Sequence, residues 1–281
     1  MTIKQIQQQL DEELSLKLIA QAFTEISSIR LKKIRSDVEK NRLFFEEIAY
    51  LYYMVNKAAK AVRKENLVVK NDKIICLALT SNYRFYGNLN EELIKAYIKE
   101  TSNMQADRMV IGRTGLEYIK SASNIQFSSL MFKKDLPDDS ELNSLVTQIK
   151  GYSKILVFYS KFKSVLVQIP TVSDVKASPN LRESEDEIPI NFVFEPELKN
   201  ILEFFDKQIT RLLLEQTFLE SELSRIGARL ISMDQAQANA DKSIKDQTKL
   251  LLNEKRSLIN IKTLEAIITQ NASRRIINNE L

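Results

Sequence analysis

The stretch from Arg211 to Ala240 reads RLLLEQTFLESELSRIGARLISMDQAQANA. It holds one glycine, Gly227, and no proline. With Leu212 in the first place of a seven-residue repeat, that place recurs as Leu212, Leu219, Ile226, Met233 and Ala240. The fourth place recurs as Gln216, Leu223, Leu230 and Gln237. Followed on to Ala272, 13 of the 18 first and fourth places are apolar. A seam sustained over so many heptads predicts one long helix that buries its stripe on a partner helix.

The expected partner lies at the other end of the chain. Residues 1 to 66 contain no glycine and no proline. Their apolar residues fall at Ile3, Ile6, Leu10, Leu14 and Leu18, then at Ile26, Ile29, Ile34 and Val38. Steps of three and four keep one stripe on one face of a helix. At 1.5 Å per residue that helix would run about 90 Å.

Residues 73–195 have a different pattern. The apolar runs Lys73–Thr80, Met109–Gly112 and Ile155–Tyr159 read as buried strands, with Val165–Ile169 and Asn191–Phe194 as two further candidates. Helical pattern falls at Glu91–Glu100, Thr114–Ser121 and Ser140–Lys150, the last opened by Ser140 as N-cap. The polar, acidic stretch Ser173–Pro189 reads as a loop. Alternating strands and helices predict a small domain with a mostly parallel sheet. The expected fold class is therefore α/β plus long α. An antiparallel two-helix coiled coil, residues 1–66 with residues 197–281, carries an inserted Rossmann-like α/β domain at residues 73–195.

Composition agrees and excludes several functions. The 281 residues include only five glycines and five prolines, against roughly 20 and about 14 in an average chain of this length. So few breakers exclude a turn-rich sandwich or barrel. Histidine is absent, which removes the commonest general base and metal ligand. One cysteine, Cys76, allows no internal disulfide and reads as a small core residue. The net charge of +4, with both signs mixed, gives no argument for nucleic acid. No signal-peptide core and no run of 18 apolar residues occurs, so the expectation is a chain inside the cell with no direct membrane insertion.

Chemistry-bearing motifs are few. Neither GxxxxGK[ST] nor GxGxxG is present. Gly112-Arg113-Thr114-Gly115 reads as a glycine-assisted strand-to-helix turn rather than an anion site, and Asp138-Asp139 with Glu141 as a solvated helix start rather than a cation site. Tyr83, Arg84, Phe85 and Tyr86 mix aromatics with a base, which suits either stacking on nucleotide bases or docking on a protein. No catalytic residue, cofactor or metal is expected.

The rod carries more than periodicity. Ser224-Arg225-Ile226-Gly227-Ala228-Arg229-Leu230-Ile231-Ser232-Met233-Asp234, followed by Ala236 and Asn239-Ala240, closely resembles the signature SExxARMxAMxxAxxNA of the gamma subunits of F-type ATP synthases. Asn253-Glu254-Lys255-Arg256 resembles that family's NxxRQ. Lys154–Pro170 is similar to YLVYTKFxSxLxQxP, Asn191–Pro196 to YxFEP, and Thr80-Ser81 with Gly87–Asn90 to TSDRGLCGGLN. Ala22–Ile26, including Phe23, and Arg30-Leu31-Lys32 align with AMKMVAxxKLRK. The matches keep their order along nearly the whole chain.

The resemblance implies a central rotor shaft inside a ring of alpha and beta subunits, with its α/β domain near an epsilon-like subunit and a membrane rotor ring. Catalysis would then lie in the beta subunits, and the complex would sit peripherally on the inner, cytoplasmic face of the cell membrane. It implies contacts to the ring through Phe23, Arg30, Lys32, Lys33, Arg229, Met233, Asn253 and Arg256. It implies a docking loop at Tyr83, Arg84, Phe85 and Tyr86. Several residues depart from the family. The loop loses two glycines and a cysteine, Arg225 and Ser257 stand for a glutamate and a glutamine, and Asn260–Thr263 replaces ITxE. Those departures leave open a diverged F-like ATPase whose shaft drives another process, such as mollicute gliding motility. A third reading is a coiled-coil scaffold with a nucleotide-binding head.

Overall fold

Strand β1 (Ile74–Leu79) has the alternation that places a sheet between two layers of helix. Ile75, Leu77 and Leu79 point to one face, Cys76 and Ala78 to the other, and all five are buried. In the computed structural model, which describes residues 2–62, 73–122, 126–176 and 198–279, β1 is the centre of a five-stranded sheet. The remaining strands are β2 (Asp107–Ile111), β3 (Ser128–Leu130), β4 (Lys154–Phe162) and β5 (Gln168–Asp174). Their order is β3-β2-β1-β4-β5, parallel except for the antiparallel edge pair β4–β5. The helices are α1 (Ile3–Val62), α2 (Leu89–Thr101), α3 (Arg113–Ala122), α4 (Asp139–Ile149) and α5 (Leu198–Asn279).

The chain divides into two compact units, Met1–Glu25 with Met233–Leu281, and Ile26–Ser232. In the second unit, one face of the sheet packs on Leu93, Ile94 and Tyr97 of α2 and Ile119 of α3. The other packs on Leu142, Leu145, Val146 and Ile149 of α4 and on Leu214 and Phe218 of α5. Here α5 is no surface helix: Ser221 through Arg229 are buried all the way round. Such a segment must satisfy its polar side chains internally. In the same unit α1 meets α5 at Tyr52 and Phe205, whose ring centroids lie 6.1 Å apart.

In the first unit α1 and α5 pair alone. Glu13 accepts from Ser243 Oγ at 2.9 Å, and Lys17 bonds Asp241 at 2.7 Å. One number rises as the other falls, which is the antiparallel run expected from the sequence. Ile6, Ala20, Met233 and Ala240 are buried in it. The seam is covered over a shorter length than the heptads predict. The register that sets Glu13 beside Ser243 brings Ile3, the first residue of α1, level with about Asn253. From Leu252 to Asn271 every residue of α5 is exposed, and the seam residues Ile261 and Ile268 are 53% and 66% exposed. The partner helix simply ends first.

Three local expectations are corrected. The N-cap of α4 is Asp138, not Ser140: Asp138 Oδ1 accepts from the Glu141 amide and Glu141 Oε2 accepts from the Asp138 amide, a capping box. The strand expected at Val165–Ile169 begins only at Gln168, because Lys163 and Val167 close a turn between β4 and β5. The loop expected from Ser173 starts later, since β5 runs to Asp174. The candidate strand Asn191–Phe194 and most of the acidic stretch before it lie outside the described residues.

Candidate functional site

In an open parallel sheet, ligands bind in the crevice beyond the carboxyl ends of the strands, where successive connections leave in opposite directions. Here that crevice lies beyond β1 and β4, because β2 and β3 are on one side of β1 and β4 is on the other. Its rim is built from Thr80 and Ser81 after β1, Gly112 after β2 and residues 131–135 after β3. Glycine is required at the β2 end. Gly112 has φ +104° and a Cβ there would meet the Thr80 carbonyl oxygen at 2.7 Å; at Gly115 a Cβ would meet Thr80 Oγ1 at 2.4 Å. The strand-to-helix turn read from Gly112–Gly115 is this close approach. Gly115 donates its amide to Thr80 Oγ1, which in turn donates to the Ile111 carbonyl.

The crevice is filled by α5. Ser224 Oγ donates to the Ser160 carbonyl of β4 at 2.6 Å. Arg225, 1% exposed, donates from Nη1 to the Thr80 carbonyl at 3.3 Å and to Ser221 Oγ at 3.1 Å. Its Nη2 donates to the Asp135 carbonyl at 3.3 Å and its Nε to Glu222 Oε2 at 2.9 Å. Burial alone would lower the pKa of this guanidinium, but the Glu222 and Asp135 carboxylates outweigh it and the net direction is upward. Breaking a buried pair of this kind costs about 3–5 kcal/mol.

Asp135 links that cluster to the loop after β1. It accepts from the Asn82 amide at 2.6 Å and from the Tyr86 hydroxyl at 2.8 Å. The Arg229 guanidinium sits 4.4 Å over the Tyr86 ring. Ser81 and Thr114 hydroxyls both donate to the Tyr83 carbonyl, and Asn90 donates to Ser81 Oγ. Inside this lattice Phe85 adopts φ +72°, a left-handed conformation costly for a bulky residue. Tyr83 and Phe85 nevertheless face solvent, 53% and 62% exposed.

The structure sorts the residues expected to make contacts. Arg30, Lys32 and Lys33 on α1, and Asn253 and Arg256 on α5, are exposed; Phe23 is half-buried. Arg229 and Met233 are buried by the chain itself, the first over Tyr86 and the second in the α1–α5 pair, so neither offers a free surface. Of the loop, Tyr83, Arg84 and Phe85 are exposed, but Tyr86 is buried and its hydroxyl is held by Asp135. Arg84 bonds Glu117 at 3.2 Å. Sequence reasoning missed Glu222 and Asp135 as partners of Arg225. The one available signal was a basic residue standing where a family motif carries an acid. Cys76 is a core residue as expected, its thiol pKa raised by burial, the reverse of an activated thiolate. Among the described residues, no acidic or sulfur cluster is arranged to hold a metal ion, and no helix is long and apolar enough to cross a membrane.

A family model described as ATP synthase matches residues 2–260. The ATP synthase gamma chain of Psychrobacter arcticus is 23% identical over 87% of this chain and 90% of its own length. The ATP synthase gamma chain of Staphylococcus saprophyticus is 25% identical over the same shares, 87% and 90%. Among solved structures, a chain of the Tetrahymena thermophila mitochondrial ATP synthase central stalk and c-ring superposes with a TM-score of 0.60. That match covers 78% of this chain and 99% of the other at 15% identity, a likeness of fold.

Proposed function

The chain belongs to the gamma-subunit family of the F-type ATP synthases, and on that premise we propose that it is the central rotor shaft of such a complex. Its partners are alpha-like and beta-like subunits around the paired helices, with an epsilon-like subunit and a membrane rotor ring at the α/β domain. The shaft is non-catalytic, and the complex lies peripherally on the inner face of the cell membrane. An asymmetric shaft in contact with chemically equivalent sites shifts their conformational populations differently as it turns. The observation that carries the reading is the filled crevice. A nucleotide-binding head would keep that space open, whereas here Ser224 and Arg225 bond the carbonyls that line it. This weighs against the scaffold with a nucleotide-binding head.

The loop favours a second reading within the same family. Arg84 and Asn88 stand where the family motif has glycines and Tyr86 where it has cysteine, so its docking surface differs, and an F-like ATPase with an output other than proton transport would account for that. A pulldown that recovers alpha-like and beta-like chains supports both readings. Recovery of a membrane ring with them selects the first.

Arg256 is exposed on the single-helix part of α5. A charge-assisted contact to an acidic beta-subunit loop there is worth about 2–3 kcal/mol when partly desolvated, against about 0–1 for an exposed pair. Arg256→Ala is expected to lower the coupled ATPase rate and torque of the assembled complex with the chain still folded. Lys249→Ala, its control, is expected to leave both unchanged. Wild-type turnover and rotation in both variants would show that Arg256 is only a solvated helix charge.

A further inference from the structure

We propose that Arg225 is a positioning residue. Its guanidinium occupies the ligand crevice of the α/β sheet as a resident cation, and so locks α5 to the strained loop Ser81–Gly87. Two segments distant in sequence converge on it and its own helix completes the set. Thr80 follows β1, Asp135 follows β3, and Ser221 and Glu222 lie one turn earlier on α5. The planar fork matches this set, since four donations leave in different directions from one buried group.

The lock reaches the loop through Asp135. The backbone carbonyl of that residue is held by Arg225, while its carboxylate holds both the Asn82 amide and the Tyr86 hydroxyl. Arg229, one turn further along α5, lies over the face of the Tyr86 ring. The loop therefore hangs from two arginines of the same helix. A left-handed Phe85 persists only where its surroundings over-determine it. Tyr83 and Phe85 are in consequence presented at the surface in one fixed geometry. That these two side chains meet a partner rests on the shaft reading; the lock itself does not.

A carbonyl accepts hydrogen bonds and never donates them, so the geometry separates a lock from an interchangeable ion pair. Exchanging the charges, as Glu222→Arg with Arg225→Glu, would set a carboxylate against the Thr80 and Asp135 carbonyls. Under the lock the exchanged pair cannot rescue the loop. The experiment is amide hydrogen exchange on the isolated full chain. In Arg225→Met, exchange at residues 82–89 and 131–136 is expected to rise about tenfold or more. The amides of β4 and of the α1–α5 pair near Glu13 and Ser243 are expected to keep wild-type rates. Arg225→Lys, which keeps the charge but loses the fork, is expected to lie between, and it serves as the test should Arg225→Met fail to fold. Wild-type loop exchange in either variant, or full recovery in the charge-exchanged pair, would overturn the proposal. Because the chain is tested alone, failure to assemble with alpha-like and beta-like subunits would bear on the shaft reading and leave the lock standing.

Discussion

Tyr86, Tyr97 and Tyr159 are phenols inside the protein. Burial is the largest cause raising the pKa of each. For Tyr86 the carboxylates of Asp135 and Glu222 add to it, and for Tyr159 the carboxylate of Glu220 does. In the unfolded chain all three would ionise near pH 10. A group whose folded pKa is raised contributes stability that is full below the unfolded value and is lost as pH rises past it. In alkaline titration the phenolate absorbance of these three is therefore expected to appear only with loss of helical circular dichroism. Their ionisation in a reversible step, with the helix signal intact, would contradict this burial. At this scale the sequence was partly readable. Gly112 and Gly115 advertise a tight turn because only glycine tolerates the approach to Thr80. The Arg225 cluster was hidden because its carbonyl acceptors come from two distant loops, and no spacing rule brings Thr80 and Asp135 together.

Among the elements, α4 shows how a few polar atoms set a boundary. Asp138 caps its first turn and the Ser140 hydroxyl donates to the same carboxylate. The Ser140 bond first, then the Glu141 amide, hold the Asp138 carboxyl below the ordinary carboxylate range. A depressed folded pKa contributes stability above the unfolded value, and that contribution is lost as pH falls through the folded one. Asp138→Ala is thus expected to lower the thermal midpoint at neutral pH, with the gap to wild type narrowing in acid. A gap that stayed constant from neutral pH to the acid range would mean that the charge has no part in the cap. Long, periodic elements were legible: α1, α5 and the three central strands lie where their apolar patterns put them. Short ones were not. The strand β3 is Ser128, Ser129 and Leu130, held by its ladder to β2 and not by any apolar run of its own. The cap of α4 escaped because Asp138 and Ser140 are both good N-caps, and only the reciprocal bond from Glu141 decides between them.

For the molecule as a whole, the heptad count gave the pairing of α1 with α5 but not its extent. A seam read along one helix says that a neighbour is needed and says nothing of where the neighbour stops. The last part of α5 continues as one helix, and its Leu258, Ile261, Leu264 and Ile268 are all exposed. A lone helix of this kind has only its own propensity to hold it, which is marginal in water. Limited proteolysis of the isolated chain is expected to cut first beyond Asn253 and to spare the paired stretch around Ser243. Protection of the same segment when alpha-like and beta-like chains are added would mark it as their seat, whereas equal cutting along both stretches would count against the difference. The uncovered end also bears on manufacture in the cell. A copy made in excess of its companions would carry a greasy, easily opened terminus, the kind of surface on which chaperones and proteases act. Those exposed residues would then mark the surplus for removal, and supply would be trimmed to demand without a separate signal.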